Sequence, residues 1–297
     1  MSRTAYVFPG QGSQYPGMGK DLYEKYPEVR EIYQKAKQIA GFDVAEVSFE
    51  ADKKTLAQTQ YTQPCIFTHS YAVLTVLGSR AEYDGVAGHS LGEYSALVAA
   101  GVFSFEDGLF AVTQRGKLMS EAKEGGMIAP LGASLEDVQA VVDALKSRGV
   151  IEVANYNAPG QFIISGEKDL LDEAAKMLKE RGAKKVVPLA VSGAFHSPLM
   201  EDAQKEMEKV LAKIGFRPPK VEFYANVTGD RVDDPEQIRK NLVLQLTHPV
   251  RWIDIVENMV GAGFGKFVEI GPGKVLQGLI KRINPTVELA TWESLID

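Results

Sequence analysis

Six consecutive residues, Gly88-His89-Ser90-Leu91-Gly92-Glu93, carry the spacing G-x-S-x-G. Apolar Val86 and Ala87 lead into them, and a helix-compatible run over 94–100 follows. In that setting the pattern reads as a nucleophile elbow, a strand that turns sharply into a helix and leaves the serine oxygen exposed. A Cβ on either flank would crowd the turn, and glycine tolerates strained dihedrals. The helix behind it aims its unpaired N–H groups and positive end at the serine. The same letters would also suit a glycine-rich turn before a buried helix, so the rest of the chain decides.

A serine hydroxyl needs a base, usually histidine, and the chain has four histidines. His89 neighbours Ser90 and should point away across the elbow. His69 lies inside a helical run, which suits a structural role. His248 precedes Pro249, which favours an extended turn. His196, in Ala194-Phe195-His196-Ser197-Pro198, sits on a loop between an expected strand and an expected helix. Such loops are where α/β enzymes place catalytic bases, and the order serine then histidine matches the α/β-hydrolase arrangement. His196 is the best candidate.

Arg115 stands among apolar residues that should be buried, where a lone charge is costly. It is either half of an internal salt bridge, a snorkelling surface arginine, or a fork for a substrate carboxylate. The loop Phe8-Pro9-Gly10-Gln11-Gly12 could supply an oxyanion donor, with the amide of Leu91 as the other. Phosphate-binding motifs fail: no Walker A spacing occurs, and Gly10-Gln11-Gly12 lacks a third glycine.

The elements that must position these residues follow from periodicity. A strand is expected over 4–8, a loop over 9–19, and a helix from 22 to 39 stopped by Gly41. Helix 63–77, strand and elbow 85–92, and helix 107–122 come next. The stretch 127–189 reads strand, helix, strand, strand, helix, strand, with a capping box at Ser134 and a turn over 155–160. That order is ferredoxin-like (βαββαβ). The chain then returns to α/β character with helix 197–213, strand 221–225, helix 252–260, strand 266–270 and a final helix after Gly271-Pro272-Gly273. The expected fold class is α/β, a hydrolase-like core with a parallel sheet and an inserted subdomain. The expected division is 1–125 with 191–297 for the large domain and 126–190 for the small one.

Composition sets outer bounds. The 297 residues are 45% hydrophobic and 24% charged, the balance of an ordinary soluble globular protein. No apolar run approaches the length that crosses a membrane. The first residues lead directly into a strand rather than a signal peptide, so the expected location is cytoplasmic. Cys65 is the single cysteine, which excludes an internal disulfide and a cysteine-cluster metal site. The net charge of −6 argues against a nucleic-acid partner.

Five segments together resemble one family. Phe8-Pro9-Gly10-Gln11-Gly12, Gly88-His89-Ser90-Leu91-Gly92-Glu93, Gln114-Arg115-Gly116, Ala194-Phe195-His196 and Gly271-Pro272-Gly273 occur in the order seen in acyl-carrier-protein S-malonyltransferases. The likeness runs from about residue 4 to residue 280. It implies that Ser90 is acylated, that His196 is its base, and that the main-chain carbonyl of Gln245 orients the histidine. It implies an oxyanion hole from the amides of Gln11 and Leu91, and a malonyl carboxylate paired with Arg115. Asn155, Asn157 and Asn226 are expected around the cleft. Phe195 before the histidine implies malonyl over methylmalonyl, because a ring there would crowd an α-methyl branch. The implied reaction is ping-pong, from malonyl-CoA to the phosphopantetheine thiol of acyl carrier protein. No cofactor or metal is then expected, because CoA is substrate and the phosphopantetheine belongs to the partner.

Two rivals stay open. A serine thioesterase or esterase would share the elbow but expect a triad acid and no buried arginine. A non-catalytic acyltransferase-like scaffold would have no need of Ser90, His196 and Arg115 together. An acidic carrier calls for a local basic patch, for which Lys184, Lys185, Arg217 and Lys220 are candidates. A monomer is expected.

Overall fold

The strand expected over 4–8 forms as β1 (Arg3–Phe8), and its residues divide by parity between two cores. Tyr6 and Phe8 face one cluster, Ala5 and Val7 the other. The computed structural model describes residues 2–122 and 124–296; Met1, Lys123 and Asp297 lie outside the described residues. After β1 come α1 (Lys20–Lys25), α2 (Pro27–Ala40), α3 (Val44–Glu50), α4 (Lys53–Leu56) and α5 (Thr59–Leu77). The elbow joins β2 (Gly85–Gly88) to α6 (Gly92–Ala99), and α7 (Phe105–Glu121) follows. The middle of the chain forms β3 (Gly126–Leu131), α8 (Leu135–Leu145), β4 (Ile151–Ala158), β5 (Gln161–Gly166), α9 (Lys168–Glu180) and β6 (Lys185–Pro188). The last part forms α10 (Glu201–Leu211), β7 (Glu222–Tyr224), α11 (Pro235–Leu244), α12 (Trp252–Gly261), β8 (Phe264–Glu269), α13 (Val275–Ile283) and β9 (Glu288–Thr291).

The first sheet has the order β7-β2-β1-β8-β9, with every neighbouring pair parallel. Its central strands are apolar on both faces because helices cover both. Tyr6, Phe8, Val86, Phe223 and Val268 pack into the larger cluster; Ala87, Tyr224 and Phe267 pack with residues of α12 and α13. In such a sheet ligands bind beyond the carboxyl ends of the strands. Gln11, Ser90 and Asn226 all follow such ends, those of β1, β2 and β7.

The second sheet is antiparallel, in the order β4-β5-β3-β6. Each helix-linked strand pair has one strand between its members. Val138, Val141, Val142 and Leu145 of α8 and Leu170, Leu171, Ala174 and Leu178 of α9 form its own core. Ser134 caps α8, accepting from the Asp137 N–H at 3.0 Å, as its spacing implies. A short bridge ties β4 to the segment just before α12: the Tyr156 N–H donates to Val250 O, and the Val250 N–H to Ala154 O, each at 2.9 Å.

Several boundaries differ from the sequence reading. The turn expected over 155–160 is strand as far as Ala158, because Asn155 and Asn157 keep their main chain in β4. Helix 22–39 breaks at Tyr26, where Pro27 opens α2 in the one turn that needs no proline N–H. Helix 197–213 begins only at Glu201, after a tight turn over Pro198–Met200. Helices α3, α4 and α11 and edge strand β9 were not foreseen.

Candidate active site

The elbow is as crowded as its glycines imply. A Cβ on Gly92 would lie 2.0 Å from the Phe8 carbonyl oxygen, and one on Gly88 would lie 2.0 Å from Gly92 C. Ser90 itself adopts φ 51°, and among the described residues one other non-glycine residue shares the left-handed region, His196 at φ 57°. Strain of this kind persists only where the surroundings hold it. Asn226 supplies part of that hold. Its Oδ1 accepts from the Ser90 N–H at 2.7 Å, and its Nδ2 donates to Gly88 O at 2.6 Å. Asn226 is fully buried and sits under the elbow. Its expected place beside the cleft is thereby corrected to a support of the Ser90 main chain.

His196 stands where the loop before Pro198 brings it, 2.9 Å from Ser90 Oγ through Nε2. Its Nδ1–H donates to the Gln245 main-chain carbonyl at 2.7 Å, which leaves the lone pair of Nε2 facing the serine hydroxyl. Burial, then the Arg115 charge, push the imidazole down to about 3, opposed by the Gln245 carbonyl. A neutral, base-ready ring is the result.

Arg115 is fully buried. Nη1 donates to Gln63 Oε1 at 2.8 Å; Nη2 donates to Gln245 Oε1 at 2.9 Å and to Ser90 Oγ at 3.0 Å. All three direct acceptors are neutral, so the snorkelling alternative gives way to a buried fork beside Ser90 with no carboxylate in direct contact. The ring of Tyr94 lies 5.7 Å from the guanidinium carbon. Burial pushes the guanidinium below the usual arginine range, opposed by Tyr94 and Glu93.

A cavity of about 180 Å³ opens at Ser90, with Gln11, Leu91, Arg115, Asn155, Phe195 and His196 on its wall. Asn157 is there too; its Oδ1 accepts from His89 Nε2 at 2.7 Å. His89 therefore turns from Ser90, as its adjacency implies, but stays in the cavity wall. His69 is buried edge-on to Trp292, away from the site. His248 Nδ1 meets the Leu244 carbonyl at 3.0 Å, a main-chain tie near Gln245.

Two residues of the site were missed. Gln63 and Glu93 hold Arg115 and Gln245 from behind. Glu93, a charged residue at the start of the largely apolar helix α6, offered a signal; Gln63, among Thr59, Gln60 and Thr62, offered none. The candidate basic residues divide. Lys184 adjoins the end of β3 through its N–H to Leu131 O at 3.0 Å. Arg217 and Lys220 precede β7, which runs parallel to β2, so they lie at the sheet edge opposite Ser90.

Among the described residues no helix is long and apolar enough to cross a membrane. The acyl transferase domain family matches residues 5–290. The malonyl CoA-acyl carrier protein transacylase of Staphylococcus aureus (strain MRSA252) is 43% identical, over 100% of this chain and 97% of that protein. An acyl carrier protein S-malonyltransferase from Vibrio cholerae has a crystal structure with a TM-score of 0.93 and 40% identity, covering 98% of this chain and 96% of that one. A malonyl-transacylase solved in complex with its type II PKS acyl-carrier protein gives 0.92 and 39%, covering 98% and 95%. The strained serine, its histidine and the buried arginine thus stand in a chain similar to acyltransferases along nearly its whole length, and the chain belongs to the malonyl CoA-acyl carrier protein transacylase family of acyltransferases.

Proposed function

We propose that the protein transfers malonyl from malonyl-CoA to the phosphopantetheine thiol of an acyl carrier protein, in two half-reactions through a malonyl-Ser90 ester. One observation carries this reading: a fully buried arginine fork, held by neutral acceptors, reaches the oxygen of the nucleophile. An ester or thioester hydrolase has no use for such a cation, and a carbonyl rather than a carboxylate stands behind His196.

His196 Nε2 takes the hydroxyl proton as Ser90 Oγ attacks the thioester carbonyl. The amides of Gln11 and Leu91 stabilise the oxyanion. Arg115 leaves Ser90 Oγ and Gln245 and pairs with the malonyl carboxylate by two parallel hydrogen bonds. The protonated His196 returns its proton to the departing CoA sulfur. The carrier's thiol then attacks the ester by the same steps in reverse. Arg115 fixes the acyl group in a small cavity, which favours a thiol arm over water. Asn155 and Asn157 belong to the cavity wall, and Phe195 disfavours an α-branched acyl group.

The antiparallel sheet is read as a ferredoxin-like subdomain over 126–190, set into a large domain of 1–125 and 191–297. Its strand order and separate core support that division. The similar malonyl-transacylase in complex with its carrier supports the partner. No cofactor or metal enters the scheme, and the protein acts as a monomer. The pathway served is fatty-acid or polyketide synthesis.

The test is mass spectrometry after mixing with malonyl-CoA, then with carrier protein. A malonyl adduct on Ser90 that moves to the carrier's phosphopantetheine is expected. No adduct would sink the enzyme reading, and release as free malonate would make it a hydrolase.

A further inference from the structure

Arginine has no acceptor, so the Gln245 atom that Arg115 Nη2 meets at 2.9 Å is Oε1. The other side of that amide is thereby fixed. Nε2 donates to Ser90 O at 2.9 Å and to one carboxyl oxygen of Glu93. The second Glu93 oxygen accepts from the Asn226 N–H at 3.1 Å. Both oxygens accept, which is the pattern of an ionised carboxylate. Glu93 is 1% exposed, in the first turn of the largely apolar helix α6. A buried anion requires a cation, and the one across the Gln245 amide is Arg115. Burial pushes the Glu93 carboxyl up to about 7, opposed by the Asn226 N–H, the Gln245 amide and the Arg115 charge.

An acyl carboxylate arriving at Arg115 upsets this balance. Two anions then share one cation in a buried space, and one of them is driven toward its neutral form. We propose that Glu93 is the buried counter-ion of Arg115 and takes up one proton when the carboxylate of a malonyl thioester pairs with Arg115. The inference rests on the reading that Arg115 takes the acyl carboxylate. The proton comes from solvent and bonds to a Glu93 oxygen; nothing is oxidised or reduced, and the proton leaves when the acyl group leaves. A protonated carboxyl must donate, and Gln245 Oε1 becomes its acceptor once that amide turns over. The turn withdraws Oε1 from Arg115 and frees the guanidinium for the substrate. The groups facing Glu93 are Arg115 from α7, Gln245 at the end of α11 and the Asn226 main chain after β7. Tyr94 and His196 flank Arg115, and His196 is the rival proton acceptor.

The test is calorimetric titration of the Ser90→Ala protein with malonyl-CoA at pH 8, in two buffers of different ionisation enthalpy. Uptake of about one proton is expected with malonyl-CoA and none with acetyl-CoA. Adding Glu93→Gln should abolish the uptake while malonyl-CoA still binds. No uptake, or uptake that survives Glu93→Gln and so belongs to His196, overturns the proposal. If the double variant does not fold, the Kd of Ser90→Ala for malonyl-CoA serves instead. It should weaken about tenfold per pH unit above pH 7, with acetyl-CoA unaffected; a flat profile overturns the proposal. Equal binding of malonyl- and acetyl-CoA would remove the Arg115 reading itself. Malonyl preference without proton uptake removes only the role of Glu93.

Discussion

The Nδ1–H of His196 is held at 2.7 Å by the main-chain carbonyl of Gln245, an orienting group that no side-chain substitution deletes. His196→Ala should slow single-turnover acylation by about 10²–10⁴-fold. Gln245→Ala keeps the carbonyl and loses the side-chain amide, which joins Arg115 to Glu93 and donates to Ser90 O. Its loss should be at least about tenfold smaller than that of His196→Ala, at the low end of the range for a positioned base. Rapid-quench acylation measures both. Equal losses would show that the side chain, not the carbonyl, holds the base.

The acid limb of the rate should lie low. The proposed base, His196, acts when neutral, and burial with Arg115 holds it down to about 3 from 6.5. Its active form therefore persists as pH falls through 6.5, and acylation should show no histidine inflection there. Stopped-flow acylation between pH 5 and 8 checks this. An inflection near the ordinary histidine value that survives Glu93→Gln would contradict it. The folded protein also resists protonating His196 while the unfolded chain does not, so this group costs stability as pH falls from 6.5 toward 3.

Arg115→Ala removes a charge-assisted fork worth about 2–4 kcal/mol. The kcat/KM for malonyl-CoA should fall about 30- to 1,000-fold. The rate with acetyl-CoA, which has no carboxylate, should change far less. Parallel losses for both thioesters would mean that Arg115 serves Ser90 and not the acyl group.

Phe195 is buried in the cavity wall next to His196. Phe195→Ser should raise the methylmalonyl-to-malonyl ratio of kcat/KM by about 10-fold or more, the scale of one methyl group in an apolar pocket. Competition between the two CoA thioesters measures it. An unchanged ratio would free Phe195 from any part in selection.

Gly92→Ala should be among the most damaging single changes. The new methyl meets backbone, not a flexible side chain, and the start of α6 would have to part from the end of β1. Destabilisation of more than about 3 kcal/mol is expected from such overpacking, read as a lowered urea midpoint. A stable, active variant would show that the elbow can open.

Legibility followed physical necessity. Ser90 could be read because its turn demands particular glycines, and β1 because its apolar run must be covered on both faces. Arg115 was visible as a charge out of place. Gln245 was not visible from its own segment: what it supplies is a carbonyl, which every residue has, and the family likeness alone pointed there. Glu93 and Gln63 were hidden because their role is to satisfy other buried groups across the fold, 152 and 52 positions away in sequence. Strand β9 escaped because an edge strand has little apolar pattern to show. The stretch 155–158 misled because asparagines that serve a cavity look like asparagines that make a turn.

Ser90 and Gln245 meet across 155 positions, and the entire antiparallel sheet is encoded between Ser90 and His196. A nascent chain that has left the ribosome only as far as the elbow therefore offers a serine with no base behind it. Its β1 still lacks the β8 neighbour that arrives with residues 264–269. Translation order thus keeps Ser90 apart from His196 and Gln245 until most of the chain has been made.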